Sequence, residues 1–195
     1  MLASRVSFRV PVPLHDDVFV YEKVPGRPFA PGDDVDAAFA VIDELHAFPL
    51  EEARALIGRP PVAEEYAIEW VMFTDEVFPH LDADLVDAVD FARTPPVIER
   101  ESLVHDDLGP EHLLVDDAGR PVGIIDFEDA TIGDPAVDVV PLTVLVGRPL
   151  TERLWRYHVR GTLHAIAYFH REGLEREIPG AVEELRQRLA LRPPG

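Results

Sequence analysis

The residues of this 195-residue chain best suited to chemistry cluster between His105 and Asp138, and they include Asp107, His112 and Asp126. Two carboxylates and an imidazole at this spacing suit phosphoryl transfer, which needs little covalent help from a protein. It needs a base that orients the attacking hydroxyl and ligands that hold magnesium against the phosphates. Asp107 is suited to accept the hydroxyl proton, while His112 and Asp126 are suited to hold the metal. Imidazole is softer than magnesium prefers, so His112 keeps two further readings: binding metal through water, or supporting the loop.

The elements that must position these groups are two short strands and their turns. The apolar run ending at Val104 delivers His105, Asp106 and Asp107 to a strand end, and Gly109-Pro110 forces a tight loop before the strand His112 to Val115. Asp116-Asp117-Ala118-Gly119 is a hairpin turn, and the strand Pro121 to Ile125 then carries Asp126 at its far end. Asp126 is thereby expected to return to the neighbourhood of Asp107 and His112. Leu103, Leu113, Leu114, Ile124, Ile125 and Phe127 are expected in the core, alternating with the functional side chains.

HDDLGPEH followed by GIIDFEDATIGDPAVD resembles the catalytic region of the aminoglycoside and macrolide phosphotransferases, a family with the protein-kinase-like fold. The resemblance rests on His105, Asp107, Leu108, Pro110, His112, Asp126, Phe127, Glu128, Gly133, Asp134, Pro135 and Asp138. His112, where most relatives have Asn, is similar to the macrolide 2'-phosphotransferase variant. The resemblance implies a catalytic Asp107, metal ligands His112 and Asp126, Mg2+, and ATP or GTP as donor. It also implies that His105 props the loop, that Asp134 begins a helix and that Asp138 braces the catalytic loop. Asp106 stands where the family commonly has Gly, and its charge is expected to raise the pKa of Asp107.

Upstream, the segment Val18 to Pro28 reads like the family's approach to the hinge between lobes, where groups around Tyr21, Glu22 and Val24 would bind the nucleobase. Leu45-His46 resembles the family's Leu-His at the end of the following helix. Kinase-like enzymes cover the phosphates with a glycine-rich loop and pair them with an early lysine. Here no GxGxxG occurs, and Lys23, the only lysine, lies in the hinge-like segment itself. The expected fold class is therefore α+β: a kinase-like large lobe, mainly helical, with a short catalytic β-hairpin and a hinge strand at its start. Residues 1–28 are expected to be a remnant of the small lobe and hinge, and residues 29–195 the large lobe.

Composition narrows the partners. A hydrophobic content of 47% fits a folded chain with a sizeable core. No run approaches the roughly 18 apolar residues of a membrane helix, and no signal-like amino terminus is present, so a cytoplasmic protein is expected. The absence of cysteine excludes disulfides and thiolate chemistry. A net charge of -19 argues against nucleic acid and favours a cationic small-molecule substrate such as an aminoglycoside, although acidic surfaces also serve solubility alone.

Helices are expected over Val35 to Phe48, Glu51 to Ile57 with a stop at Gly58, Ala63 to Phe78, Asp82 to Phe91, Thr151 to about His170, and Ala181 to Leu191. An apolar segment is expected between Asp138 and Val146. Tyr66, Trp70, Phe73 and Val77 share helical spacing and read as core. His158 and His164, six apart, do not share a face as an i, i+4 pair would, and read as surface or internally satisfied histidines. The function expected is phosphotransfer to a small-molecule hydroxyl, with antibiotic resistance as one possible role. The alternative is a catalytically inactive remnant serving as a binding module. A metal-dependent phosphohydrolase built on His105-Asp106 is a third reading, disfavoured because the pair sits between strands rather than on helices.

Overall fold

Short strands interrupted by glycine and proline, followed by longer amphipathic helices, set the architecture seen in a computed structural model that describes residues 2–15, 18–57 and 62–194. The strands are β1 (Pro13–His15), β2 (Val18–Tyr21), β3 (Arg27–Pro28), β4 (Ser102–Val104), β5 (Leu113–Val115), β6 (Pro121–Ile124) and β7 (Thr131–Gly133). The helices are α1 (Val35–His46), α2 (Leu50–Leu56), α3 (Val62–Met72), α4 (Ala83–Ala88), α5 (Ala136–Leu145), α6 (Glu152–Arg171) and α7 (Ile178–Ala190). This is the mixed, mainly helical composition expected. The chain divides into two compact units, Met1–Arg59 with Ile98–Pro149, and Pro60–Val97 with Leu150–Gly195.

Among the described residues the first unit carries all the strands. β3, β5 and β6 form an antiparallel sheet in which Leu113 faces Ile124 and Leu114 faces Gly123, so the expected hairpin is present. Its turn closes because the Asp116 carboxylate accepts from the N–H groups of Ala118 and Arg120, while Gly119 takes a positive φ of 76°. Arg9 bridges in parallel to Gly123 on the outer side of β6. A Cβ at Gly123 would lie 2.6 Å from Val24 and 2.9 Å from the Arg9 carbonyl, so only glycine allows this approach.

β4 and β7 pair antiparallel, Leu103 opposite Ile132. β4 and β5 are buried at every position. The expected alternation of core and functional side chains is therefore absent from these strands, because both of their faces are covered. The functional groups sit instead just beyond the strand ends. Leu103, Leu113, Leu114 and Ile124 are core residues as expected, whereas Ile125 and Phe127 are half-buried.

α1 starts at Asp34, whose carboxylate accepts from the Ala37 N–H at 3.0 Å, and buries Ala38, Ile42 and Leu45 along one stripe. It ends at His46, two residues short of the expected end, ahead of Pro49. The stop expected at Gly58 for α2 lies outside the described residues.

The second unit is helical. Thr151 caps α6 by accepting from the Leu154 N–H, and α6 buries Trp155, Val159, Leu163 and Ile166 in a core shared with Ile178, Ala181 and Leu185 of α7. The Trp155 indole donates to the Arg188 carbonyl at 2.8 Å. α7 begins three residues before the expected Ala181, since Pro179 is compatible with a first helical turn. The single helix expected over Ala63 to Phe78 is instead α3, a π turn at Phe73–Val77 and a 3-10 turn at Phe78–His80. Thr74 donates its hydroxyl back to the Trp70 carbonyl and Pro79 offers no N–H, which together disturb the regular ladder. Tyr66, Phe73 and Val77 are buried as expected, and Trp70 is half-buried with its ring edge-on to Phe78. Among the described residues no helix is long and apolar enough to cross a membrane.

Candidate active site

The site is built on a buried carboxylate. Asp138, fully buried in the first turn of α5, accepts from the backbone N–H of His105 at 2.8 Å and of Asp106 at 2.9 Å. The His46 ring donates Nε2–H to the same carboxylate at 2.9 Å. Three donors around a carboxylate that water cannot reach give it the partners that burial of a charge demands. The loop after β4 is thereby pinned to the ends of α1 and α5. Asp134 fixes the start of α5, its side chain accepting from the Ala136 N–H and its carbonyl from Val137. Both aspartates thus occupy the structural positions that the resemblance implied.

The next layer is His105, whose side chain is fully buried. Its Nδ1 lies 3.3 Å from the Asp107 N–H and its Nε2 2.8 Å from the Ile125 carbonyl. A carbonyl only accepts, so Nε2 carries the proton and Nδ1 is the acceptor. One ring therefore ties the loop bearing Asp107 to the strand end preceding Asp126. His105 has no nitrogen left for a proton-transfer role, consistent with a loop prop.

Among the described residues two non-glycine positions have left-handed backbones, and both belong here: Asp106 with φ 69° and Asp126 with φ 68° and ψ 59°. Such a conformation costs an L-residue roughly 1–2 kcal/mol, less for aspartate, and persists where the surroundings enforce it. At Asp106 the bond to Asp138 holds the backbone. At Asp126 the twist turns the chain out of β6 into the 3-10 turn Phe127–Asp129.

The working groups lie on this frame. His112 donates Nδ1–H to the Asp107 carbonyl at 2.6 Å, and its Nε2 lies 3.6 Å from Asp126 Oδ2. Its Nδ1 is also 3.7 Å from Asp107 Oδ2. The loop between them is tight, Gly109 N–H donating to the Asp107 carbonyl and His112 N–H to the Gly109 carbonyl. Asp107 is 63% and Asp126 49% exposed, whereas His112 is 15% exposed. Asp107, His112 and Asp126 are thus brought together as the spacing anticipated.

The Asp107 carboxyl is held above its ordinary range, chiefly by desolvation; His112 and His105 oppose the shift, and Asp129 and Glu111 reinforce it. The expected contributor was Asp106. Its backbone is turned toward Asp138, and the leading like charges come from Asp129 and Glu111 instead. Nothing in the sequence pattern pointed to Glu111. His46 is the other residue without an anticipated role, although the Leu-His pair was a signal at its position.

Among the described residues no group of three or more His, Asp or Glu side chains is arranged to enclose a metal ion. His112 Nε2 and the Asp126 carboxylate form a two-donor edge. That is the form suited to Mg2+, which takes few protein ligands and fills its shell with phosphate oxygens and water. The nitrogen partner is oriented by its own Nδ1–H bond to a backbone carbonyl, as metal-binding histidines commonly are.

Of the three nucleobase candidates, Glu22 and Val24 line a cavity of about 380 Å3 with Lys23 and the facing segment Val6 to Val10. Val24 is buried there and Glu22 is exposed. The backbone of Tyr21 ends β2, and its side chain lies outside the described residues.

Comparison with known proteins follows the same lines. The profile of the phosphotransferase enzyme family (APH) matches residues 2–190. The uncharacterized protein YcbJ of Bacillus subtilis (strain 168) is 42% identical over 57 residues, a stretch spanning 29% of this chain and 19% of that protein. The structure of the GDP and kanamycin complex of APH(2")-IIia is similar with a TM-score of 0.72 at 27% identity, covering 97% of this chain and 78% of the other. The macrolide 2'-phosphotransferase MphH from Brachybacterium faecium shares the fold, with a TM-score of 0.65 at 20% identity over 100% of this chain and 77% of its own. A thermostable mutant of the aminoglycoside phosphotransferase APH(4)-Ia, in a ternary complex with ADP and hygromycin B, gives 0.70 at 17% identity, covering 100% and 82%.

Proposed function

Because the chain belongs to the phosphotransferase enzyme family, we propose that it transfers the terminal phosphoryl group of ATP or GTP to a hydroxyl of a small molecule of the aminoglycoside or macrolide kind. The observation that carries this reading is the convergence of Asp107, His112 and Asp126 on one frame, with the outer ring nitrogen of His112 facing Asp126. The nucleotide and kanamycin held by a 27%-identical relative support the donor and acceptor classes.

In this mechanism Asp107 accepts the proton of the attacking hydroxyl as its oxygen bonds to the γ-phosphorus and the nucleoside diphosphate leaves. The raised pKa of Asp107 makes it a better base than an ordinary carboxylate. His112 and Asp126 would hold Mg2+. When bound, the ion supplies charge neutralisation on the phosphate oxygens. His105 and Asp138 act on neither substrate nor metal; they set the separation of the two working aspartates. The cavity beside Glu22 and Val24 is assigned to the nucleobase. Residues 1–28 are assigned to the hinge side of the family fold and 29–195 to its large lobe. Glu111 and Asp129, with Asp107, make the surroundings of the base anionic, which suits an amine-bearing acceptor. A cytoplasmic location and a role in antibiotic resistance fit this reading.

The test is phosphoryl transfer from ATP and GTP to a panel of aminoglycosides and macrolides. Asp107→Ala is expected to lower the rate by about 10²–10⁴-fold with an unchanged far-ultraviolet spectrum. Transfer by this variant at the parent rate, or no transfer by the parent to any acceptor, would remove the assignment and favour a binding module.

A further inference from the structure

Within the helical unit, two histidines ninety residues apart meet at a point that phosphotransfer does not use. His80 closes the 3-10 turn Phe78–His80, and His170 lies in the last turn of α6. His80 Nε2 and His170 Nδ1 are 3.0 Å apart, with ring centroids 5.1 Å apart and ring planes at 60°. Glu175 Oε1 is 4.0 Å from His170 Nδ1. We infer that His80 and His170 form a two-imidazole site for a first-row transition-metal ion of the Zn2+ type, with Glu175 as the third ligand and water completing the shell.

Three observations carry this inference. The first is distance. Two imidazole nitrogens on one tetrahedral zinc are about 3.3 Å apart, close to the 3.0 Å of this pair, so binding requires the two rings to turn until both lone pairs meet at one point rather than face each other. Imidazole is also the ligand these metals favour.

The second is charge. The neighbouring cations are already paired: Arg171 with Glu76 at 2.6 Å and Arg186 with Asp82. Glu175 and Glu183 remain on a cavity of about 470 Å3, which His80 and the paired Arg186 also line. The C-terminal end of α6 adds its negative dipole end beside His170.

The third is mobility of the required kind. Glu175 is 63% exposed, so its carboxylate can reach a metal by changing rotamer. Among the described residues no three ligands are already gathered, and the inference commits to the two imidazoles as the preorganised part. In the metal-free pair one ring donates N–H to the other. Binding requires that proton to leave the shared nitrogen, because a metal-bound ring nitrogen offers its lone pair.

The experiment is calorimetric titration of Zn2+ alone, without nucleotide, into the parent, His80→Gln, His170→Gln and His112→Gln. Each protein is also melted with and without the ion. The parent and His112→Gln are expected to bind one Zn2+ at this site and to melt higher with it. His80→Gln and His170→Gln are expected to lose tenfold or more in affinity and all of the shift in melting, while retaining parental phosphotransfer. Equal Zn2+ affinity in the parent and in both of these variants would overturn the inference, as would the absence of Zn2+ binding by the parent. If either variant melts early without metal, Co2+ absorption in His112→Gln decides. Intense bands of a nitrogen-ligated, low-coordinate ion support the site, and the weak spectrum of hydrated Co2+ overturns it.

Discussion

The two compact units bury polarity differently. In the strand-bearing unit Asp138, His105 and His46 lie at or near zero exposure, and each has identified partners that fix the loop around Asp107. In the helical unit the largest buried side chains are apolar, led by Trp155, Phe73, Leu163, Ile166 and Leu185. Its buried His158 is driven down to a pKa of about 4, mainly by desolvation and then by the Arg188 charge. Buried polarity in the first unit holds a geometry. In the second it is tolerated within a core held by apolar packing.

The largest effect that could break this contrast is at Asp138. Asp138→Ala orphans the N–H groups of His105 and Asp106 and the buried His46 imidazole, and should cost about 3–5 kcal/mol, in the range for removing one partner of a buried pair. It should also cut transfer beyond what the loss of folded protein explains. A denaturant titration alongside a rate per folded molecule checks both, and a stable, fully active variant would show that the frame is dispensable.

Leu163→Ala sharpens the other side. It should cost about 2–5 kcal/mol by leaving a cavity, with the rate per folded molecule within about twofold of the parent. A selective loss of rate would mean that the helical core also sets catalytic geometry.

The smallest effect is a pH dependence at His158. Its folded pKa of about 4 lies below the ordinary 6.5, so the unfolded chain binds the extra proton first as pH falls. Stability is full above about pH 6.5 and is lost as pH drops toward 4. His158→Gln should flatten that decline in melting curves recorded from pH 7 to 5, and parallel curves for variant and parent would remove the effect.

The same contrast explains what was legible in the sequence. The catalytic segment could be read because each group has a chemical reason for its position: a tight Gly109-Pro110 loop, a hairpin closed by Asp116 and Gly119, and aspartates beyond strand ends. The amphipathic stripes of α1 and α6 were also readable, since burial repeats with the helical period. What escaped depends on contacts distant in sequence. His46 lies ninety-two residues before the carboxylate it donates to, and the left-handed turn at Asp106 exists because that carboxylate holds its N–H. The interruption after α3 depends on Thr74 bonding back to Trp70 and on Pro79, a local conflict that hydrophobic periodicity conceals. Burial of β4 and β5 on both faces likewise follows from what packs against them, which alternation within a three-residue strand cannot report.

The most direct test of the central claim is magnesium-dependent binding of ATP and GTP, measured by calorimetry on the parent and on Asp126→Ala. The account predicts that the parent binds one of the nucleotides only when Mg2+ is present, and that the variant loses this dependence along with tenfold or more in affinity. Equal magnesium-dependent binding by both proteins, or no binding by the parent, would contradict the assignment of Asp126 and His112 to the metal.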